Sequence, residues 1–158
     1  MPVIDFWLAI SFLASRTILF PASLLLILYC LYVKKKKEAA WAAAGFYGGV
    51  ALNYALKRIF QLPRPSNSLI AIDGYAFPSG HALSAVIFYS LLIAIVHKEI
   101  KNKVVRIGFI TANILIILSV GLSRIMLKVH TVYDVIGGSV IGLLWLFVMY
   151  RFLQKINP

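Results

Sequence analysis

Apolar positions fall into five long runs with short polar breaks between them: residues 18–33, 39–56, 82–96, 107–122 and 132–150. Each approaches the roughly 20 residues that carry a helix across a bilayer, once snorkelling ends are allowed for. The pattern predicts an all-α, polytopic transmembrane helical bundle with five clear spans. Residues 3–14 are a shorter apolar stretch interrupted by Asp5, Ser11 and Ser15, which fits either an interfacial helix or a short sixth span tucked against the others. Between Lys57 and Gly80 lies the one long hydrophilic connection. Pro63, Pro65 and Pro78 exclude a helix interior there, while Asn67, Asp73, Gly74 and Gly80 favour turns. Interleaved Leu69, Ile70, Ile72, Tyr75 and Phe77 mark it as an ordered loop.

Composition sharpens the membrane reading. Of 158 residues, 61% are hydrophobic and 13% charged, and a mean hydropathy of +0.90 disfavours an ordinary soluble domain. One domain over residues 1–158 is expected, because the loops are too short to hold a second. The lone cysteine, Cys30, allows no internal disulfide and is read as lipid-facing or packing. An apolar N-terminus without a basic lead or an A-x-A site is expected to be retained.

A net charge of +11 would suggest nucleic acid in a soluble chain. Here cytoplasmic loops and anionic lipid account for it, and neither a nucleic-acid partner nor an obligate protein partner is expected. Lys34 to Lys37, Lys98, Lys101, Lys103, Arg106, Arg151 and Lys155 share one side by alternation. Arg16, Lys57, Arg58, Arg64, Arg124 and Lys128 lie on the other. The positive-inside rule assigns the first group to the cytoplasm and the second to the outer face.

Several polar residues of that outer side suggest chemistry. With residues from about 130 helical, His130 and Asp134 are one turn apart, so the carboxylate can accept from one imidazole nitrogen and leave the other lone pair outward. Arg124 adds a planar guanidinium suited to phosphate. Lys57 and Arg64, in a proline-stiffened turn, either aim two charges at one anion or snorkel at the interface. In Pro78-Ser79-Gly80-His81, Ser79 is an N-cap candidate, and Gly80 permits close backbone approach at a helix start that favours anions. His81 is an acid for a leaving alkoxide or a cap residue. Asp73 contacts substrate or serves its Asp-Gly turn. On the opposite side His97 is read as an ordinary interfacial histidine, and Trp7, Trp41 and Trp145 as belt residues.

Taken in order, Lys57 with six residues to Arg64-Pro65, Pro78-Ser79-Gly80-His81, and Ser123-Arg124 with five residues to His130 and three more to Asp134 resemble the full signature of the type 2 phosphatidic acid phosphatase (PAP2) superfamily. The resemblance spans about residues 50–140, includes Gly137 and Gly138, and departs at Lys128, where many members carry a small residue. It implies that His130 attacks phosphorus to give a phosphohistidine, that Asp134 orients it, and that His81 protonates the departing oxygen and then helps activate water. Lys57, Arg64, Arg124 and the backbone N–H groups around Ser79 and Gly80 would hold the phosphoryl oxygens, with no metal or other cofactor.

The expected activity is that of a bacterial inner-membrane lipid phosphatase. Candidate substrates implied by the resemblance are the 1-phosphate of lipid A, undecaprenyl pyrophosphate, phosphatidylglycerophosphate and phosphatidic acid. A basic rim of Arg58 and Lys128 would suit the more anionic of these, lipid A or undecaprenyl pyrophosphate. A phosphotransferase could use the same site. A vanadate-binding haloperoxidase shares the signature, but those enzymes are soluble. From a different class, a small lipid transporter would also place charges inside a bundle.

Overall fold

The computed structural model describes residues 2–156. Among them six helices are formed, α1 (Pro2–Phe12), α2 (Arg16–Tyr32), α3 (Lys36–Phe60), α4 (Gly80–Val96), α5 (Lys103–Met126) and α6 (Val132–Ile156), with no strand. Each of the five apolar runs falls on one of α2 to α6, the first reaching Val33 at the C-cap of α2. By length and apolarity Pro2–Tyr32, Lys103–Met126 and Val132–Lys155 suffice to cross a membrane, and Gly80–Val96 is a shorter apolar helix. α3 is 25 residues long but carries Lys36, Lys37 and Glu38 at one end and Lys57 and Arg58 at the other.

The surface has the polarity expected of lipid exposure. Ile107, Leu115 and Leu118 of α5 and Ile136, Leu143 and Phe147 of α6 are exposed, whereas Ser23, Asn53, Asn113, Ser123, Arg124, His130 and Asp134 are buried. A soluble domain reverses this arrangement, so the chain is an integral membrane protein.

α4 is the hub and packs against α2, α3, α5 and α6. Its sequence is apolar around the whole helix, as a helix enclosed by neighbours requires, and Leu83, Ala85, Ile87 and Leu91 are almost wholly buried. Small residues let the backbones approach: a Cβ on Gly49 would fall 2.3 Å from Ile87 Cδ1. Trp145, read from sequence as a belt residue, instead inserts against α3, where its Nε1 donates to Ala44 O at 3.2 Å and Gly45 O at 3.0 Å. Trp41 returns the tie by donating to Leu146 O at 3.1 Å. Cys30 is fully buried, resolving its two readings in favour of packing.

Local signals set the helix ends. Ser15 caps α2 by accepting from Ile18 N, and Asn102 caps α5 by accepting from Val104 N and Val105 N. α3 stops at Gln61 in the left-handed region, φ 48°, just before Leu62-Pro63. α1 packs along α5, which makes it a helix tucked against the bundle.

Candidate active site

One end of the bundle gathers the end of α3, the start of α4, the end of α5, the start of α6 and the loop between α3 and α4. The loop is pinned from both sides. Lys57 Nζ donates to Tyr75 O at 2.5 Å and Ala76 O at 3.2 Å, while Ala76 N donates to Leu62 O and Leu69 N to Leu127 O. Asn53 of α3 donates to Pro78 O at 3.3 Å. Across the site Ser79 N donates to Asp134 O at 3.0 Å, joining the starts of α4 and α6. Gly138 permits that junction, since a Cβ there would lie 2.6 Å from Ser79 O; at Gly137 it would lie 2.4 Å from the Phe77 ring. The glycine pair after Asp134 is thus a packing requirement of the site.

His130 is 4% exposed and lies just before α6, not within it as the sequence spacing assumes. Its Nδ1 is 3.7 Å from Asp134 Oδ2, beyond hydrogen-bond distance. The carboxylate instead accepts from Thr131 N at 2.7 Å and Thr131 Oγ1 at 3.0 Å, and Thr131 Oγ1 accepts from Asp134 N at 3.3 Å. This reciprocal pair is a capping box at the start of α6, which uses the lone pairs expected to hold the imidazole. Asp134 therefore lies beside His130 without a hydrogen bond to it.

The other imidazole nitrogen faces Arg64. Arg64 Nη1 lies 3.2 Å from His130 Nε2 and donates to Val129 O at 3.1 Å, while its Nε donates to Gly74 O at 3.0 Å. A guanidinium can only donate, so Nε2 carries the lone pair and the proton is on Nδ1, toward Asp134. Burial first, then the charges of Arg64, Lys57, Arg124 and His81, push the His130 pKa from 6.5 down to about 2. The imidazole is neutral, with its basic nitrogen among cations.

Arg124 is 2% exposed, and its Nη1 donates to Ser11 Oγ of α1. Ser79 is fully buried at the N-cap position of α4 but makes no side-chain cap bond. Half-buried His81 is the second residue of α4, within electrostatic reach of Arg124, Arg64, Arg16 and Lys57. Among the described residues, the buried side-chain polar atoms without a hydrogen-bond partner are Ser79 Oγ, Arg124 Nε and Nη2, and His130 Nδ1. All belong to this one site. Such atoms call for an explanation, and a bound anion of the right shape supplies one for the donors.

Beside these groups a cavity of about 510 Å³ runs from Asp134 along Phe60, Leu62, Pro63, Phe77 and Tyr133. Two residues of the expected rim behave differently: Arg58 lies over the Tyr54 ring at 4.7 Å, and Lys128 is exposed with φ 54°. The left-handed backbone at 128 gives a physical reason for a small residue there. Ser11, Asn53 and Thr131 are contributors that sequence reasoning missed. Only Thr131 left a local signal, a Thr three residues before an acidic residue at a helix start.

The sequence model of the PAP2 superfamily matches residues 38–158. Among curated relatives the chain is 29% identical over 151 residues to phosphatidylglycerophosphatase B of Bacillus subtilis, covering 94% of this chain and 74% of that one. It is 31% identical to human sphingosine-1-phosphate phosphatase 2 over 75% of this chain and 30% of the relative. To an undecaprenyl-diphosphatase of Bacillus subtilis it is 26% identical over 79% of this chain and 63% of the relative. The chain thus spans less than two thirds of the latter two. A crystal structure of a transmembrane PAP2-type phosphatidylglycerolphosphate phosphatase from Bacillus subtilis superimposes with a TM-score of 0.85 at 26% identity, covering 98% of this chain and 78% of that one.

Proposed function

The chain belongs to the PAP2 superfamily, and from that membership we propose that it hydrolyses the phosphate ester of a membrane lipid through a phosphohistidine on His130. One observation carries the reading: the buried unpartnered donors of Arg124 and Ser79 lie at the same end of the bundle as a neutral histidine whose Nε2 lone pair is held by Arg64 alone. The site holds three cations, Lys57, Arg64 and Arg124, with Asp134 and Asp73 both within electrostatic reach of Arg64. That charge and those donors suit the acceptor oxygens of a phosphoryl group.

The reaction follows from these positions. Phosphoryl oxygens bind Arg124, Lys57 and the N–H groups at the start of α4, and they draw the Arg64 guanidinium off Nε2. His130 Nε2 then attacks phosphorus, forming the N–P bond as the bond to the lipid oxygen breaks. With the phosphoryl dianion offsetting the cations around it, His81 takes up a proton and gives it to that oxygen. Asp134 stabilises the cationic imidazole that develops. Water, deprotonated by His81, next attacks the phosphohistidine and returns the electron pair to Nε2, so the products are the lipid alcohol and orthophosphate.

Phosphatidylglycerophosphate is the substrate best supported, through the Bacillus subtilis phosphatase and its structural counterpart. The apolar cavity beside Asp134 suits the part of an amphiphile next to its phosphate. The orientation proposed places this end at the outer face, because the opposite end carries the larger share of lysine and arginine. The test is phosphate release in detergent, with a chelator present, from phosphatidylglycerophosphate, undecaprenyl pyrophosphate, lipid A and phosphatidic acid. Release is expected to be fastest from phosphatidylglycerophosphate. Absence of release from all four overturns the reading, and preference for the pyrophosphate overturns the substrate.

A further inference from the structure

The family match begins at residue 38, so α1 lies outside it, yet α1 reaches the site. Ser11 is the buried residue of this helix, at 4% exposed, although Val3, Phe6, Leu8 and Phe12 around it are exposed apolar side chains. Outward phenylalanines suit lipid, but Ser11 lies on the inward face with Ile4, Trp7 and Ile10, where a hydroxyl needs a polar partner. That partner is Arg124, 113 positions away, whose Nη1 donates to Ser11 Oγ. The turn after α1 is fastened as well, because Tyr89 Oη of α4 donates to Leu13 O at 2.9 Å.

A guanidinium is planar, so fixing Nη1 fixes the direction of every other N–H. With Nη1 taken by Ser11, the edge left over is Nε with Nη2, a parallel pair of donors that matches two oxygens of one phosphoryl group. These are the two Arg124 atoms buried without a partner. We propose that Ser11 is a positioning residue, anchoring Nη1 so that the Nε and Nη2 edge of Arg124 faces the phosphoryl group. The proposal rests on the reading of Arg124 as a phosphoryl ligand, and it makes α1 part of the reaction site.

The test combines Ser11→Ala, Ser11→Thr and Arg124→Gln in detergent, reading kcat, KM, thermal stability and inhibition by orthovanadate, which takes the five-coordinate geometry of phosphoryl transfer. Loss of a hydrogen bond to a buried charged group predicts that Ser11→Ala lowers kcat and vanadate affinity together by about 10- to 100-fold with KM little changed. Ser11→Thr, which keeps the hydroxyl, restores both. Ser11→Ala has no further effect in an Arg124→Gln background. Ser11→Cys, similar in size and a weak acceptor, replaces alanine if that variant does not fold. A Ser11→Ala protein of lower thermal stability but wild-type kcat and vanadate affinity overturns the proposal, as does a full multiplicative effect in Arg124→Gln. Wild-type kcat in Arg124→Gln itself overturns the underlying reading of Arg124, and the proposal with it.

Discussion

At one end of the bundle His97 sits half-buried at the C-cap of α4, its Nδ1 2.6 Å from Ile93 O, while at the other end His130 is 4% exposed and faces Arg64. Near His97, Lys35 pairs with Glu99 in an exposed salt bridge, the kind that adds little stability. Near His130 the Asp134 carboxylate is held by Thr131, and among the described residues two nitrogens of Arg124 have no partner. A cavity opens at each end, about 460 Å³ beside His97 and about 510 Å³ beside Asp134. Residue types alone do not separate these ends. The difference lies in whether the fold removes charged groups from water and leaves their donors for a ligand.

The sharpest way to break the comparison is to remove each histidine. His130→Ala is expected to lower kcat by at least about 10⁴-fold, the scale of losing a nucleophile, whereas His97→Ala leaves kcat essentially at wild type. Phosphate release from the lipid panel measures both, and equal losses would erase the distinction between the ends.

Glycine-to-alanine changes carry the contrast into packing. Gly138→Ala forces a Cβ against Ser79 O and is expected to destabilise by about 1–3 kcal/mol and to lower kcat by separating the starts of α4 and α6. Gly108, near the opposite end, has nothing within 4 Å of an added Cβ, so Gly108→Ala leaves activity unchanged. Thermal unfolding and turnover of the two variants test this pairing.

The pH dependence of stability has a defined sign. His130 binds a proton in the folded protein only near pH 2, whereas in the unfolded chain it does so near 6.5. The unfolded state takes up the extra proton between those values, so this contribution to stability is lost as pH falls from about 6.5. Melting temperatures at pH 7 and pH 5 should show a larger drop for wild type than for His130→Asn. The smallest expected effect is at Lys128, where Lys128→Gly relieves a left-handed backbone and stabilises by about 1 kcal/mol, read as a rise in melting temperature. A rise in KM for anionic lipid in the same variant would add Lys128 to the headgroup contacts.

Much of the architecture was legible in the sequence because lipid imposes long apolar runs, and one falls on each of α2 to α6. The order and spacing of Lys57, Arg64, Ser79, His81, Arg124, His130 and Asp134 also pointed to one end of the bundle. What periodicity does not carry is contact between distant elements. Ser11 with Arg124, Asn53 with Pro78, and Trp145 with α3 all depend on how helices pack. The expected hydrogen bond from His130 to Asp134 gave way to a local competitor, since Thr131 is nearer and completes a helix cap. Spacing alone placed the carboxylate correctly within the chain but not its lone pairs.

The most direct test of a nucleophilic His130 is to capture the covalent intermediate. Protein is mixed with phosphatidylglycerophosphate labelled in its terminal phosphate, quenched in base to preserve an N–P bond, and digested to locate the label. Label on the peptide containing His130, lost on acid treatment and absent from His130→Ala, is the predicted result. Phosphate release at the wild-type rate by His130→Ala, or label on another residue, would contradict it.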